Sequence, residues 1–185
     1  MDMVIILLMA ITMQAAQVHL SQFYNEALTS NSCASLSKYR SLAPNAMIAF
    51  QKLRDQYEAT CSTPKCKGRS FTTTAELKEL KVSERLILVK KEFEVFTNSL
   101  QNNRRWDTTN TQMAVETLMQ ISTDLKACVN STAIKSYSRN LRRHLRKLKL
   151  YEKPSECRKA KMFSSLLELV NEHLKCVAKL KLCTK

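Results

Sequence analysis

Turn-forming residues are almost missing from this chain. Its 185 residues include one glycine, Gly68, and three prolines. A β-sandwich or barrel needs many tight turns, and those depend on Gly, Pro, Asn and Asp at fixed positions, so such folds are excluded. One glycine also rules out a glycine-rich phosphate loop. Histidine is scarce. His19, His144 and His173 each stand alone, with no adjacent nucleophile or metal motif. Each is expected to be a solvated surface residue, and no enzyme is indicated. Acidic residues are outnumbered by basic ones, 16 against 30, which leaves a formal charge of +14. That charge favours acidic partners such as glycosaminoglycans, anionic membranes or nucleic acids, and by itself says nothing about fold.

Long apolar runs are also lacking beyond the start of the chain. Val4 to Met13 is apolar apart from Thr12, and the small residues Ala15 and Ala16 follow. This is the length of a signal-peptide core, although Asp2 is acidic and no Lys or Arg precedes it. Residues 1–16 are therefore expected to be a signal peptide and 17–185 a single domain. No later segment approaches the ~20 apolar residues needed to span a bilayer. The mature chain is expected to be secreted and not membrane-spanning, with oxidising conditions for its seven cysteines.

Apolar residues recur at three and four along most of the chain, which is the helical period. Met47, Phe50, Leu53 and Tyr57 stripe a first helix that opens at Ser41-Leu42-Ala43-Pro44 and runs to about Glu58. Ile48 lies on the other side, beside Gln51, Lys52 and Asp55. A single exposed apolar residue is usually unremarkable, but at the centre of a polar face it is what a partner-binding anchor looks like. Residues 17–40 are polar without a sustained period and read as a loosely ordered segment tied down by Cys33. Residues 59–73 read as a loop, and Ala75 to Leu80 as a short helical piece. Leu86, Val89, Phe93, Phe96 and Leu100 stripe a second long helix, from about Ser83 to Leu100. The polar stretch Asn102 to Thr109 breaks the period, with Trp106 in it expected to cap core. Ala114, Leu118, Ile121, Leu125 and Val129 stripe a third helix that ends near Cys128. Asn130-Ser131-Thr132 follows as the standard glycosylation acceptor, in a connection where a sugar is tolerated.

Tyr137, Leu141, Leu145 and Leu148 stripe a fourth helix, which Pro154 ends. From Cys157 to Cys183, Phe163, Leu166, Leu167, Val170, Leu174 and Val177 form one stripe, flanked by Ser164, Glu168, Asn171 and Lys175. This last stretch is expected to be the helix that the rest covers. On a continuous helix Cys176 and Cys183 would be ~10 Å apart, too far for a disulfide. If they pair, the helix must stop soon after Cys176. The sum is an all-α, up-and-down bundle of about five to six helices, stapled by disulfides. Six of seven cysteines pair in fifteen ways, and spacing does not choose among them. Cys61 and Cys66 lack a companion pair or a spaced His pair, so no metal or other cofactor is expected.

Several short stretches carry a family resemblance. They are Ser41-Leu42-Ala43-Pro44 leading to Ala49-Phe50-Gln51-Lys52, then Cys61-Ser62-Thr63-Pro64 and Leu80-Lys81-Val82-Ser83-Glu84-Arg85. Leu125-Lys126-Ala127-Cys128-Val129, Asn140-Leu141-Arg142-Arg143-His144-Leu145, Leu174-Lys175-Cys176-Val177-Ala178 and Leu182-Cys183 complete the set. In their order and cysteine spacing the chain resembles the type III interferons, or interferon lambda, from about Cys33 to Cys183. The resemblance implies the class II cytokine bundle and the pairings Cys33–Cys128, Cys61–Cys157 and Cys176–Cys183, with Cys66 left odd. It implies a monomeric, secreted antiviral cytokine that bridges a private interferon-lambda receptor chain and the shared interleukin-10 receptor beta chain. JAK-STAT signalling and interferon-stimulated gene expression would follow. The private-receptor surface carries over to Pro44, Ile48, Gln51, Lys52 and Asp55 on the first helix, and to Ser164, Leu167, Glu168 and Asn171 on the last. The third long helix would meet the second receptor. The family has two aromatic anchors where this chain has Ser164 and Leu167.

A second reading rests on charge alone. From Ile134 to the end there are fifteen Lys or Arg against four Asp or Glu, a net of +11. The 135–161 region, through Arg142, Arg143, Arg146, Lys147 and Lys149, is a candidate site for a polyanion or a membrane surface, in the manner of a basic host-defence protein. Heparan sulfate is the candidate partner, a role compatible with a cytokine. Nucleic acid is disfavoured by secretion.

Overall fold

The computed structural model describes residues 31–60, 72–101, 108–130 and 136–179. The expected leader, His19, Cys61, Cys66, Gly68, Trp106 and Cys183 lie outside these residues. Among the described residues there are helices and no strand. None of the helices is long and apolar enough to cross a membrane.

Order begins earlier than the sequence suggests. Helix α1, Asn31–Ala34, runs directly into a 3-10 turn, Ser35–Arg40. Leu36 and Tyr39 are buried. Cys33 is disulfide-bonded to Cys128, with Cα atoms 4.5 Å apart. The Tyr39 hydroxyl donates to Asp124 Oδ2 at 2.6 Å, and Lys38 pairs with the same carboxylate at 2.8 Å. The expectation of a loosely ordered segment is thus corrected for 31–40. Ten residues are too few to show a sustained period, and what fixes them is contributed from far along the chain.

Helix α2 spans Pro44–Thr60, with proline at its first position, where the missing N–H costs nothing. Phe50, Leu53 and Tyr57 are buried and Ile48 is exposed. Helix α3, Thr74–Lys78, starts with a reciprocal capping box between Thr73 and Glu76. At its other end the buried Arg85 guanidinium donates to the carbonyls of Lys78 and Leu80, each at 2.8 Å, and so satisfies backbone groups the helix leaves open.

Helix α4, Val82–Gln101, carries the expected stripe and more. Leu88, Val95 and the polar residues Glu84, Arg85, Glu92 and Thr97 are buried as well. A helix covered on nearly every side is a central one. Helix α5, Thr108–Asn130, and helix α6, Arg139–Lys149, both pack on it, as do α3 and the C-terminal helical run. The organising element is therefore α4 rather than the last helix.

The C-terminal run is less regular than its stripe implies. Helix α7, Glu156–Ser164, breaks at Ser165, and the short α8, Leu166–Glu168, leads into a π-helical segment, Leu169–Leu174. Helix α9, Lys175–Ala178, closes the run. The wider π turn lets two adjoining registers face inward, so Leu169 and His173 are buried beside Val170 and Leu174. The helix stops two residues past Cys176, as a fold-back of the tail requires. Cys157 and Cys176 are also disulfide-bonded. The partners implied for them, Cys61 and Cys183, are not among the described residues.

Candidate receptor-binding site

Pro44, Ile48, Gln51, Lys52 and Asp55 fall within about 100° of arc on α2. All five are exposed. Ile48 is the apolar member, 49% accessible among polar neighbours. Asp55 is engaged by the residue just before it on the chain: Arg54 Nη2 reaches its Oδ1 at 2.6 Å.

Helix α2 packs against α7 and α8, which brings the second group of expected residues alongside the first. Tyr57 of α2 stacks on Phe163 of α7, with ring centroids 4.2 Å apart and planes 16° apart, and Phe163 meets Phe96 of α4 edge-on. Those rings fix the spacing of the two helices from beneath. Above them Ser164 is exposed, while Leu167, Glu168 and Asn171 are half-buried. The polar groups of this strip are partly committed. Ser164 donates to the carbonyl of Lys161 at 2.9 Å, and Asn171 accepts from Lys175 at 3.3 Å. Glu168 Oε1 accepts from both the backbone N–H and the hydroxyl of Thr74, at 3.1 and 3.0 Å. It therefore fastens the start of α3 to the C-terminal run.

Two expectations about other residues are corrected. His144 and His173 are not surface residues; each is only 1% accessible. His173 Nδ1 sits 2.9 Å from Oε2 of the fully buried Glu92, and its Nε2 lies 3.9 Å from Glu168. Burial disfavours its charged form, but Glu92, with help from Glu168 and Glu172, outweighs that and holds its pKa above the usual value. Burial pushes His144 the other way, below the usual value, and among the described residues neither of its ring nitrogens has a hydrogen-bond partner. The signal was in the sequence. Glu92 stands three residues after Val89, His144 three after Leu141 and His173 three after Val170, all in stripe register. Tyr137 is the converse case. Read as part of a stripe, it precedes α6 and is exposed.

Among the basic residues, Arg142, Arg143, Arg146 and Lys149 are exposed, whereas Lys147 pairs with Glu76 at 3.0 Å. Asn130 is exposed and is the last residue of α5 rather than part of a connection. Among the described residues no group of His, Cys, Asp and Glu is placed to hold a metal ion.

A disulfide-tied bundle that is all-α among its described residues has the build of a helical cytokine. The comparisons with known proteins make this specific. A family described as Interleukin-28A matches residues 30–180. Interferon lambda-3 of Gallus gallus is 29% identical over 163 residues, which covers 85% of this chain and 87% of that protein. Interferon lambda-2 of Mus musculus is 28% identical over 154 residues, covering 77% of this chain and 78% of that one. The chain belongs to the interleukin-28A family, the type III or lambda interferons, and is a class II helical cytokine.

Proposed function

We propose that this protein is a secreted antiviral cytokine that bridges a private interferon-lambda receptor chain and the shared interleukin-10 receptor beta chain, and so starts JAK-STAT signalling and interferon-stimulated gene expression. The family match over residues 30–180 is the observation that carries the reading. Residues 1–16 are the secretion signal and 17–185 the mature domain, active as a monomer, with Asn130 as its glycan site. The private receptor docks on the strip formed by Pro44, Ile48, Gln51, Lys52 and Asp55 with Ser164, Leu167, Glu168 and Asn171. Ile48 and Leu167 supply its apolar centre. With Ser164 and Leu167 where relatives of the family carry aromatics, more of the interface energy falls on Ile48. The second receptor chain meets α5, which exposes Met113 and Met119. The protein acts by binding and performs no reaction.

A reporter assay on epithelial cells tests this. Purified mature protein should induce antiviral genes, and the response should vanish in cells lacking the private receptor chain. Removing an apolar anchor at the centre of an interface costs about 2 kcal/mol or more, so Ile48→Asp should raise the half-maximal concentration by roughly thirtyfold or more. A response that survives loss of the receptor chain, or folded and fully bridged protein that gives none, overturns the proposal.

A further inference from the structure

The receptor reading leaves one prominent surface without a use, the outward face of α6. This helix, RNLRRHLRKLK, contains no acidic residue. Its inward face, Leu141, His144 and Leu148, is buried, and the helix packs on α4. At ~100° per residue Arg139, Arg142, Arg143, Arg146 and Lys149 fall within about 120° of arc on the opposite side. All five are exposed.

Carboxylates that come near α6 are committed elsewhere. Glu76 pairs with Lys147, which stands off this face. Glu84 Oε1 accepts from the backbone N–H of Ser138 at 2.7 Å. Glu152, just past the helix, pairs with Lys91 at 2.9 Å. Among the described residues none of the five cations is in an ion pair. At the C-terminal end Arg158 Nη1 reaches back to the carbonyl of Leu150 at 3.5 Å and brings a sixth cation to the same end.

We propose that this face is a docking site for a sulfated polysaccharide laid along the helix, and that it holds the cytokine at cell surfaces and matrix while α2, α7 and α8 stay free for a receptor. Four of the five cations are arginines, whose planar forks match sulfate oxygens two at a time. Like charges three and four residues apart repel on a helix, and a linear polyanion relieves that repulsion along all ~15 Å of it. A lipid surface fits less well. An interfacial helix inserts its apolar face, and here that face is spent in the core, which among the described residues leaves Tyr137 and Leu150 exposed at the two ends.

The test measures binding of the mature protein to immobilised heparin, to fully desulfated heparin and to vesicles rich in anionic phospholipid, across a salt series. Two variants of equal charge are compared: Arg142→Gln/Arg146→Gln, and Lys78→Gln/Lys81→Gln as a control taken from exposed sites elsewhere. Exposed charge contacts contribute a few tenths to 1 kcal/mol each, so the arginine variant should bind heparin on the order of tenfold more weakly at moderate salt. Its salt dependence should also become shallower, while the control stays near wild type. Both variants should keep wild-type melting temperatures and reporter activity on cells stripped of surface polysaccharide, which separates lost docking from misfolding or receptor failure. Equal losses in the two variants would mean that net charge alone drives binding, and would sink the proposal. Binding to vesicles that matches heparin and falls with the arginine variant would reassign the face to lipid. Undiminished binding to desulfated heparin would also overturn it.

Discussion

Glu92 and His173 meet at 2.9 Å in the centre of the bundle, both essentially shielded from solvent, with His144 buried on the neighbouring helix α6. The two histidines respond to pH in opposite senses. The His173 pKa is raised in the folded protein, so its stabilisation is fully present below the unfolded value of 6.5 and fades as pH rises through the higher folded value. The His144 pKa is lowered, because its surroundings disfavour charge through burial, with Lys147 and Arg143 adding to the effect against Glu76 and Glu92. Acidification from 6.5 towards that lower value therefore costs stability. His144→Leu should remove this acid limb. It should also remove a buried ring whose nitrogens have no partner among the described residues, a gain of about 1–2 kcal/mol. Thermal melts between pH 5 and 8 would show it: the variant should melt higher than wild type, by a margin that widens towards acid. A margin that narrows there would refute the account.

At the scale of elements, the short helix α3 is held at both ends by side chains from outside it. Arg85 takes its C-terminal carbonyls and Glu168 takes the Thr74 N–H and hydroxyl at its start. Five residues do not form a stable helix alone, so these ties and the Thr73–Glu76 box account for its order. Glu168→Ala should lower stability by about 1 kcal/mol per hydrogen bond lost. Amide exchange should quicken at 74–78 before it does in α4. Any loss of receptor binding in that variant is then partly indirect. Gln51→Ala, on an exposed residue of α2, should leave exchange in α3 unchanged. The long helices were legible because three-four stripes last for several turns in α2, α4 and α5. The short helix α3 was legible as a helical piece over 75–80, but its tie to Glu168 was not, since that partner lies 94 residues away.

For the whole molecule, the Cys33–Cys128 bridge closes a separation of 95 residues and pins the N-terminal turn to the end of α5. Lys38 and Tyr39 reinforce it through Asp124. Removing the bridge with Cys33→Ala/Cys128→Ala should cost roughly 2–5 kcal/mol, read from denaturant midpoints. The loss should be accompanied by faster proteolysis within 31–40. An unchanged midpoint would show that packing of Leu36 and Tyr39 alone suffices. The strip proposed for the private receptor is also a property of this scale. Its two halves are more than a hundred residues apart, and they adjoin only because α2 packs on α7 and α8 through Tyr57 and Phe163.

The sequence by itself determined the helical class, the stripes of the long helices, the exposure of Ile48 and the basic bias of α6. All of these follow from the period of apolar residues, the near absence of glycine and proline, and composition. Tertiary structure alone decided that α4 rather than the last helix is central, that His173 meets Glu92, and that Lys147 and Glu168 are tied into the fold. It also decided that residues 31–40 are ordered. A stripe tells which side of a helix is covered. How many neighbours cover it, and which polar group one of them brings, depends on contacts between residues remote in the chain, and local periodicity carries no record of those.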